Sequence, residues 1–147
     1  AVRLWIQKAA GSWIGQKFLK PACCNGRNTV TEWLAIVRLS CQCKYNAIGP
    51  DWKSLFAVIE DASTAPRKKP HPQVYTQTLS RLGLQGHEGL AFEDSFNGLH
   101  AAMAAGMPVI ITPNGFTAHQ DFKGALQVLP DLSQVSVDQL HRWHAAV

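Results

Sequence analysis

The sequence predicts an α/β domain built on a parallel sheet. Three observations carry that prediction. Apolar runs of strand length occur at Leu55–Ile59, Leu90–Phe92 and Pro108–Thr112. Between them lie stretches with helical spacing or strong helix formers, from Val74 to Leu82 and from Leu99 to Ala105. The links around the second helix are short, so strand, helix and strand form a βαβ unit, which requires parallel strands and a right-handed crossover.

Composition narrows the class further. A chain of 147 residues suits one domain, and 46% hydrophobic with 16% charged residues is enough to bury a core and too apolar for a disordered chain. No apolar run reaches the roughly 18 residues of a membrane helix, and no signal-peptide pattern opens the sequence. The first residue is Ala1 rather than Met, so a processed or truncated start is expected. The net charge of +4 comes from 14 Lys and Arg against 10 Asp and Glu, scattered except at Arg67-Lys68-Lys69. A nucleic-acid footprint clusters its basic residues, so neither nucleic acid nor membrane is expected as a partner. The four cysteines, Cys23, Cys24, Cys41 and Cys43, lie far in sequence from every histidine and lack the C-x2-C spacing of zinc sites. They read as reduced thiols of a cytoplasmic protein.

Taken in order, the opening Val2–Ala10 reads as helical and Leu34–Val37 as a strand. Around them Trp13, Cys23, Cys24, Trp33, Cys41 and Cys43 follow no period. The chain therefore divides into a poorly specified segment, 1–49, and an orderly one, 50–147. After the strand at 55–59 comes a polar loop from Asp61 to Lys69, with Pro66 inside it. Pro70 and Pro72 open a helix over 71–82, where a first turn tolerates proline, and Gly83 ends it. The strand over 90–93 runs into Glu93-Asp94-Ser95. A helix over 98–105 stops at Gly106, and the strand at 108–112 closes on Pro113-Asn114-Gly115. A last helix spans 134–147, with Val137, Leu140 and Trp143 along it.

Glu93 and Asp94 stand where an apolar strand ends, and parallel sheets bind ligands beyond the carboxyl ends of their strands. Two adjacent carboxylates there suit Mg2+, a hard cation that takes oxygen ligands and leaves positions for phosphate. The plainer alternatives are a solvated acidic turn or a favourable charge at the next helix N-terminus. Lys69, at a helix start, can pair with such carboxylates and bind substrate phosphate; otherwise it is an exposed member of a basic triplet. Ser95 and Asn97 are natural helix caps.

These residues carry a resemblance. Lys68-Lys69-Pro70-His71-Pro72-Gln73-Val74-Tyr75 resembles the K-P-x-P-x-x-Y motif of the haloacid dehalogenase superfamily. Glu93-Asp94-Ser95-Phe96-Asn97-Gly98-Leu99-His100-Ala101-Ala102-Met103-Ala104-Ala105-Gly106-Met107 is similar to its E-D-S-x-x-G-x-x-A-A-x-A-A-G-M signature. The stretch from Thr112-Pro113 to Asp121-Phe122-Lys123-Gly124-Ala125-Leu126 resembles the CbbY-like branch of phosphatases and phosphomutases. The resemblance covers residues 50–133. It implies a Rossmann-like three-layer core and Mg2+-dependent phosphoryl transfer through an aspartyl-phosphate on a small phosphorylated metabolite such as a sugar phosphate. It further implies Glu93 and Asp94 as metal ligands, Lys69 as the catalytic lysine, and Lys69, Ser95 and Asn97 as the phosphate-binding set.

The departures are equally definite. The family's nucleophile lies in D-x-D-G/T on a first strand, and no D-x-D occurs in this sequence. The mobile helical cap that follows it is also missing, so the core is expected to be incomplete at its N-terminus. The strand at Leu34–Val37 resembles the family's second core strand, which should lead into a phosphate-binding T-T-S-P-x-N-V. Arg38-Leu39-Ser40-Cys41-Gln42-Cys43-Lys44 stands there instead. Reverse-translated and read one nucleotide later, Ser40–Tyr45 permits Pro, Val/Ala, Asn/Ser, Val/Ala, Asn/Ser, which points to a frameshifted or degraded gene segment upstream of Gly49. The expectation is a hydrolase piece that is inactive by itself. The alternatives are a non-catalytic Mg2+- or phosphate-binding domain on the same scaffold, or a cysteine-based module in 20–45. In the family's sheet the nucleophile strand lies between the strands carrying Leu34–Val37 and Leu90–Phe92. Either those two pair directly here, or residues from 1–30 fill the gap.

Overall fold

The computed structural model describes residues 3–6, 33–36, 57–60 and 62–147. Its elements are β1 (Arg3–Ile6), β2 (Trp33–Ile36), β3 (Ile59–Glu60), α1 (Gln73–Leu82), β4 (Gly89–Glu93), α2 (Phe96–Ala104), β5 (Val109–Ile111), β6 (Gln127–Val128) and α3 (Val137–His144). One 3-10 turn, Gly86–Glu88, precedes β4. The strands form a single sheet in the order β3-β2-β1-β4-β5-β6, and every pairing is parallel. The chain steps outward from β1 to β3, returns to β4 on the other side of β1, and steps outward again. The direction of winding therefore reverses between β1 and β4, where Leu4 lies beside Leu90. In such sheets the crevice beyond the carboxyl ends at the reversal is where ligands bind.

The gap beside β4 is filled by Arg3–Ile6, so the second of the two expected arrangements holds. That overturns the helical reading for Arg3–Ile6, while the rest of 2–10 lies outside the described residues. Leu4, Trp5 and Ile6 are good strand formers, and pairing on both sides with β2 and β4 outweighs local helix preference. The strand expected at 55–59 falls at Ile59–Glu60, with 57 and 58 outside it and 55–56 beyond the described residues. The last helix begins at Val137, not 134, because Ser136 caps it by accepting from the Gln139 N–H at 3.2 Å. The short β6 went unread: two residues, half-buried and exposed, give no alternation to detect. The cysteines lie outside the described residues.

All five residues of β4 are buried, so both faces of the sheet are covered at its centre. Alternation sorts the side chains. Ala91, with Val109 and Ile111 of β5, packs against Val74, Tyr75 and Leu79 of α1 and Leu99, Ala101 and Ala102 of α2. Leu90 and Phe92, with Ile110, pack against Leu140 of α3 and against Leu132 in the segment that precedes it. Three layers result: α1 and α2, the sheet, and α3. Each fully buried Leu, Ile or Phe contributes roughly 1.5–3 kcal/mol of transfer free energy.

Helix α1 forms because Val74, Tyr75, Thr78, Leu79 and Leu82 make one stripe at helical spacing. The buried Thr78 hydroxyl is satisfied by the Val74 carbonyl at 2.7 Å. Gly83, at φ 67°, ends the helix in the left-handed conformation that glycine adopts freely. The same helix is tied to the sheet edge through the fully buried Glu60. Arg81 Nε lies 3.0 Å from its Oε1, and Gln77 Nε2 donates to its Oε2 at 3.0 Å.

Candidate active site

The site grows from the end of β4. Glu93 shares a face with Ala91, the face covered by α1, and is 2% exposed. On α1, Tyr75 points back at it from the buried stripe and donates its phenolic O–H to Glu93 Oε1. Lys69, on the loop entering α1 and half-buried, places its Nζ in an ion pair with the same Oε1 and donates to the Tyr75 hydroxyl at 3.2 Å. The ammonium also lies 5.0 Å from the Tyr75 ring centre. The carboxylate's other oxygen, Oε2, lies over Gly98 on the first turn of α2, in the space a Cβ there would take. Burial pushes the Glu93 carboxyl up to about 7. The Lys69 charge and hydrogen bond pull it down, and the neighbouring Asp94 charge pushes it up again. The glutamate is thus held from every side and serves to fix the lysine.

Asp94 is the next residue, half-buried at the mouth of the sheet. Its Oδ2 accepts from Asn114 Nδ2 at 2.9 Å, across from the loop that leaves β5. Ser95 turns the chain into α2 and caps it, its Oγ accepting from the Gly98 N–H at 3.3 Å. Asn97 is exposed on that first turn, and no hydrogen bond of its side chain occurs among the described residues. Lys68 is exposed, whereas Lys69 turns inward to the carboxyl end of β4, with Glu93 rather than Asp94 as its ion-pair partner.

Two contributors were not given roles by sequence reasoning. Tyr75 closes the quoted motif, and its spacing from Lys69 across the start of a helix was the available signal. Asn114 read only as part of a Pro-Asn-Gly turn, and nothing local in the sequence links it to Asp94, twenty residues earlier.

The donor set fits Mg2+ in part. Asp94 offers a hard carboxylate oxygen, Oδ1, that accepts no side-chain hydrogen bond among the described residues. Glu93 stands next to it with Oε1 engaged by Tyr75 and Lys69 and Oε2 lying against Gly98. No group of three or more His, Cys, Asp or Glu side chains converges among the described residues, so water or other segments must complete the six ligands. Across the winding reversal β1 ends at Ile6, followed in sequence by Gln7-Lys8, and the first acidic residue of the chain is Glu32.

A parallel sheet whose winding reverses beside Glu93-Asp94, with a lysine delivered from the preceding loop, is a Rossmann-like arrangement similar to that of haloacid dehalogenase-like hydrolases. Residues 49–112 match the family model of haloacid dehalogenase-like hydrolases. Its likeness is to CbbY. The chain is 48% identical over 103 residues to "Protein CbbY, plasmid" of Cupriavidus necator, covering 65% of this chain and 41% of that protein. The crystal structure of CbbY from Rhodobacter sphaeroides in complex with xylulose-(1,5)bisphosphate superposes with a TM-score of 0.66 at 29% identity, covering 72% of this chain and 49% of that one. Hexitol phosphatase B of Escherichia coli (strain K12) is 40% identical over 63 residues, 43% of this chain and 28% of that protein. The chain thus spans less than half the length of each of these three relatives. Among the described residues no helix is long and apolar enough to cross a membrane.

Proposed function

We propose that this chain carries the phosphate-handling part of a Mg2+-dependent phosphatase or phosphomutase for a small phosphorylated sugar, and that it does not turn substrate over by itself. The observation that carries the reading is the placement of the Lys69 ammonium and the Asp94 carboxylate at the carboxyl end of β4, beside the reversal of the sheet. The phosphatase names among the relatives, and the sugar bisphosphate bound by the CbbY structure, support the substrate class.

Each side chain has a task in this reading. Asp94 holds the cation through the oxygen that Asn114 leaves open, with Glu93 at its side. Lys69 presents a positive charge to a phosphoryl group, and Glu93 and Tyr75 hold that charge in place before substrate arrives. Ser95, at the α2 N-terminus, and Asn97 line the approach of phosphate oxygens. A bound Mg2+ supplies neutralisation of phosphate charge. What the chain lacks is a nucleophile: no D-x-D occurs in 147 residues, and no carboxylate precedes Glu32 to stand at the end of β1. The division into 1–49 and 50–147 then separates a segment that supplies two strands from one that supplies the chemistry.

The test is release of inorganic phosphate from a panel of sugar mono- and bisphosphates with Mg2+. The chain is expected to show negligible turnover. Supplying an N-terminal segment bearing D-x-D-G/T and a cap is expected to restore part of it, through Lys69 and Asp94. Robust turnover by the chain itself, lost in Asp94→Asn, would show a complete site and overturn the missing nucleophile. Binding of Mg2+ or phosphate with no turnover even after the D-x-D-G/T segment and cap are supplied would favour the alternative, a non-catalytic binding domain on the same scaffold.

A further inference from the structure

The loop between β5 and β6 reaches back over the turn that joins β4 to α2 and grips it at two points. Asn114 Nδ2 donates to Asp94 Oδ2 at 2.9 Å, and Gln120 Oε1 accepts from the Phe96 N–H at 2.8 Å. The first grip has a fixed polarity. Asn114 Oδ1 accepts from the Phe116 N–H at 2.8 Å, which leaves only the NH2 of the same amide for Asp94. The backbone of Asn114 is pinned as well, its N–H donating to Thr117 Oγ1 at 3.0 Å and its carbonyl accepting from the Ala118 N–H at 2.9 Å. A side chain locked at both ends is thus aimed at one oxygen of a carboxylate whose other oxygen is open.

We propose that Asn114 is a positioning residue for Asp94: its amide holds Oδ2 and sets Oδ1 as the oxygen offered to a divalent cation. The proposal rests on the metal-binding role of Asp94 proposed above. The physical reason is general. A carboxylate free to rotate loses orientation entropy when it ligates, and a hydrogen-bonded neighbour removes that loss in advance. An amide suits the task because it donates without adding charge. A lysine at this position would neutralise the ligand, and an aspartate would repel it.

The experiment measures Mn2+ binding to the full chain by water-proton relaxation, with circular dichroism to verify folding of each variant. Asn114→Ala is expected to weaken Mn2+ binding roughly ten- to a hundred-fold. Asn114→Ser, whose hydroxyl keeps the turn to Phe116 but is too short to reach Asp94, is expected to lose as much and to keep the fold if alanine does not. Gln120→Ala removes the other grip on the same turn and is expected to bind within about two-fold of the parent. Equal weakening in Gln120→Ala would make the loop's anchoring the cause and overturn the proposal. Parent-like binding in both Asn114 variants, with binding lost in Asp94→Asn, would overturn it while leaving Asp94 as the ligand. Binding unchanged in Asp94→Asn would overturn both.

Discussion

Glu93 Oε2 occupies the space that a Cβ on Gly98 would fill, so the glycine of the first turn of α2 is the floor of a carboxylate pocket. In an ordinary helix Gly→Ala is stabilising by roughly 1 kcal/mol. Here Gly98→Ala is expected to destabilise by about 1–3 kcal/mol, because the buried Glu93 must move and its contacts to Lys69 and Tyr75 go with it. In a Glu93→Ala background the same substitution should change sign and stabilise. Urea unfolding of the four proteins in the cycle checks both statements.

The ion pair with Lys69 is nearly dry, 14% and 2% exposed at its two ends. Removing one partner of a buried pair strands the other, so Lys69→Met is expected to cost about 3–5 kcal/mol. Tyr75→Phe leaves the ammonium in place and is expected to cost less, about 1–2 kcal/mol. Lys69→Met combined with Glu93→Gln should recover a substantial part of the loss. Denaturant midpoints for the three variants give the order.

Ser95 and Asn97 separate two roles at one helix start. Ser95→Ala removes the cap on α2 and is expected to cost about 1 kcal/mol of stability. Asn97→Ala, at an exposed position, should stay within about 0.5 kcal/mol of the parent. If Asn97 meets phosphate, its substitution weakens inorganic-phosphate binding at unchanged stability. Titration calorimetry beside thermal melting distinguishes the two.

The α3 face is remote from the chemistry. Leu140, 1% exposed against Leu90 and Phe92, leaves a cavity when cut back, and Leu140→Ala is expected to cost about 2–5 kcal/mol. Mn2+ affinity of the folded fraction should not change. A parallel loss of affinity would show that the two faces of the sheet are coupled.

Much of this was legible in the sequence from residue 57 onward. The buried strands at 89–93 and 109–111 are apolar runs, and both flanking helices carry their own stops, Gly83 and Gly106. Lys69 and the acidic pair were legible as a motif. Their partnership was not, because the spacing Lys69–Glu93 does not say which carboxylate the ammonium meets. Parity decides it: Glu93 faces α1 as Ala91 does, while Asp94 lies past the strand. Asn114 was invisible because its partner lies at the end of the neighbouring strand, twenty residues earlier in the chain. The opening strand was misread because Arg3–Ile6 carries a local preference that the neighbouring strands override.

Alternation along β4 has a further consequence. The strand has no solvent face, so a one-residue slip of its pairing would exchange the two cores, sending Ala91 toward α3 and Leu90 and Phe92 toward the small residues of α2. It would also carry Glu93 to the wrong side of the sheet, where neither Lys69 nor Tyr75 can reach it. The same misalignment thus misfits two sets of apolar side chains and strands a charge. Correct alignment of the central strand and assembly of the lysine cradle are therefore a single event, and the cradle acts as a proofreading check on the sheet that holds it.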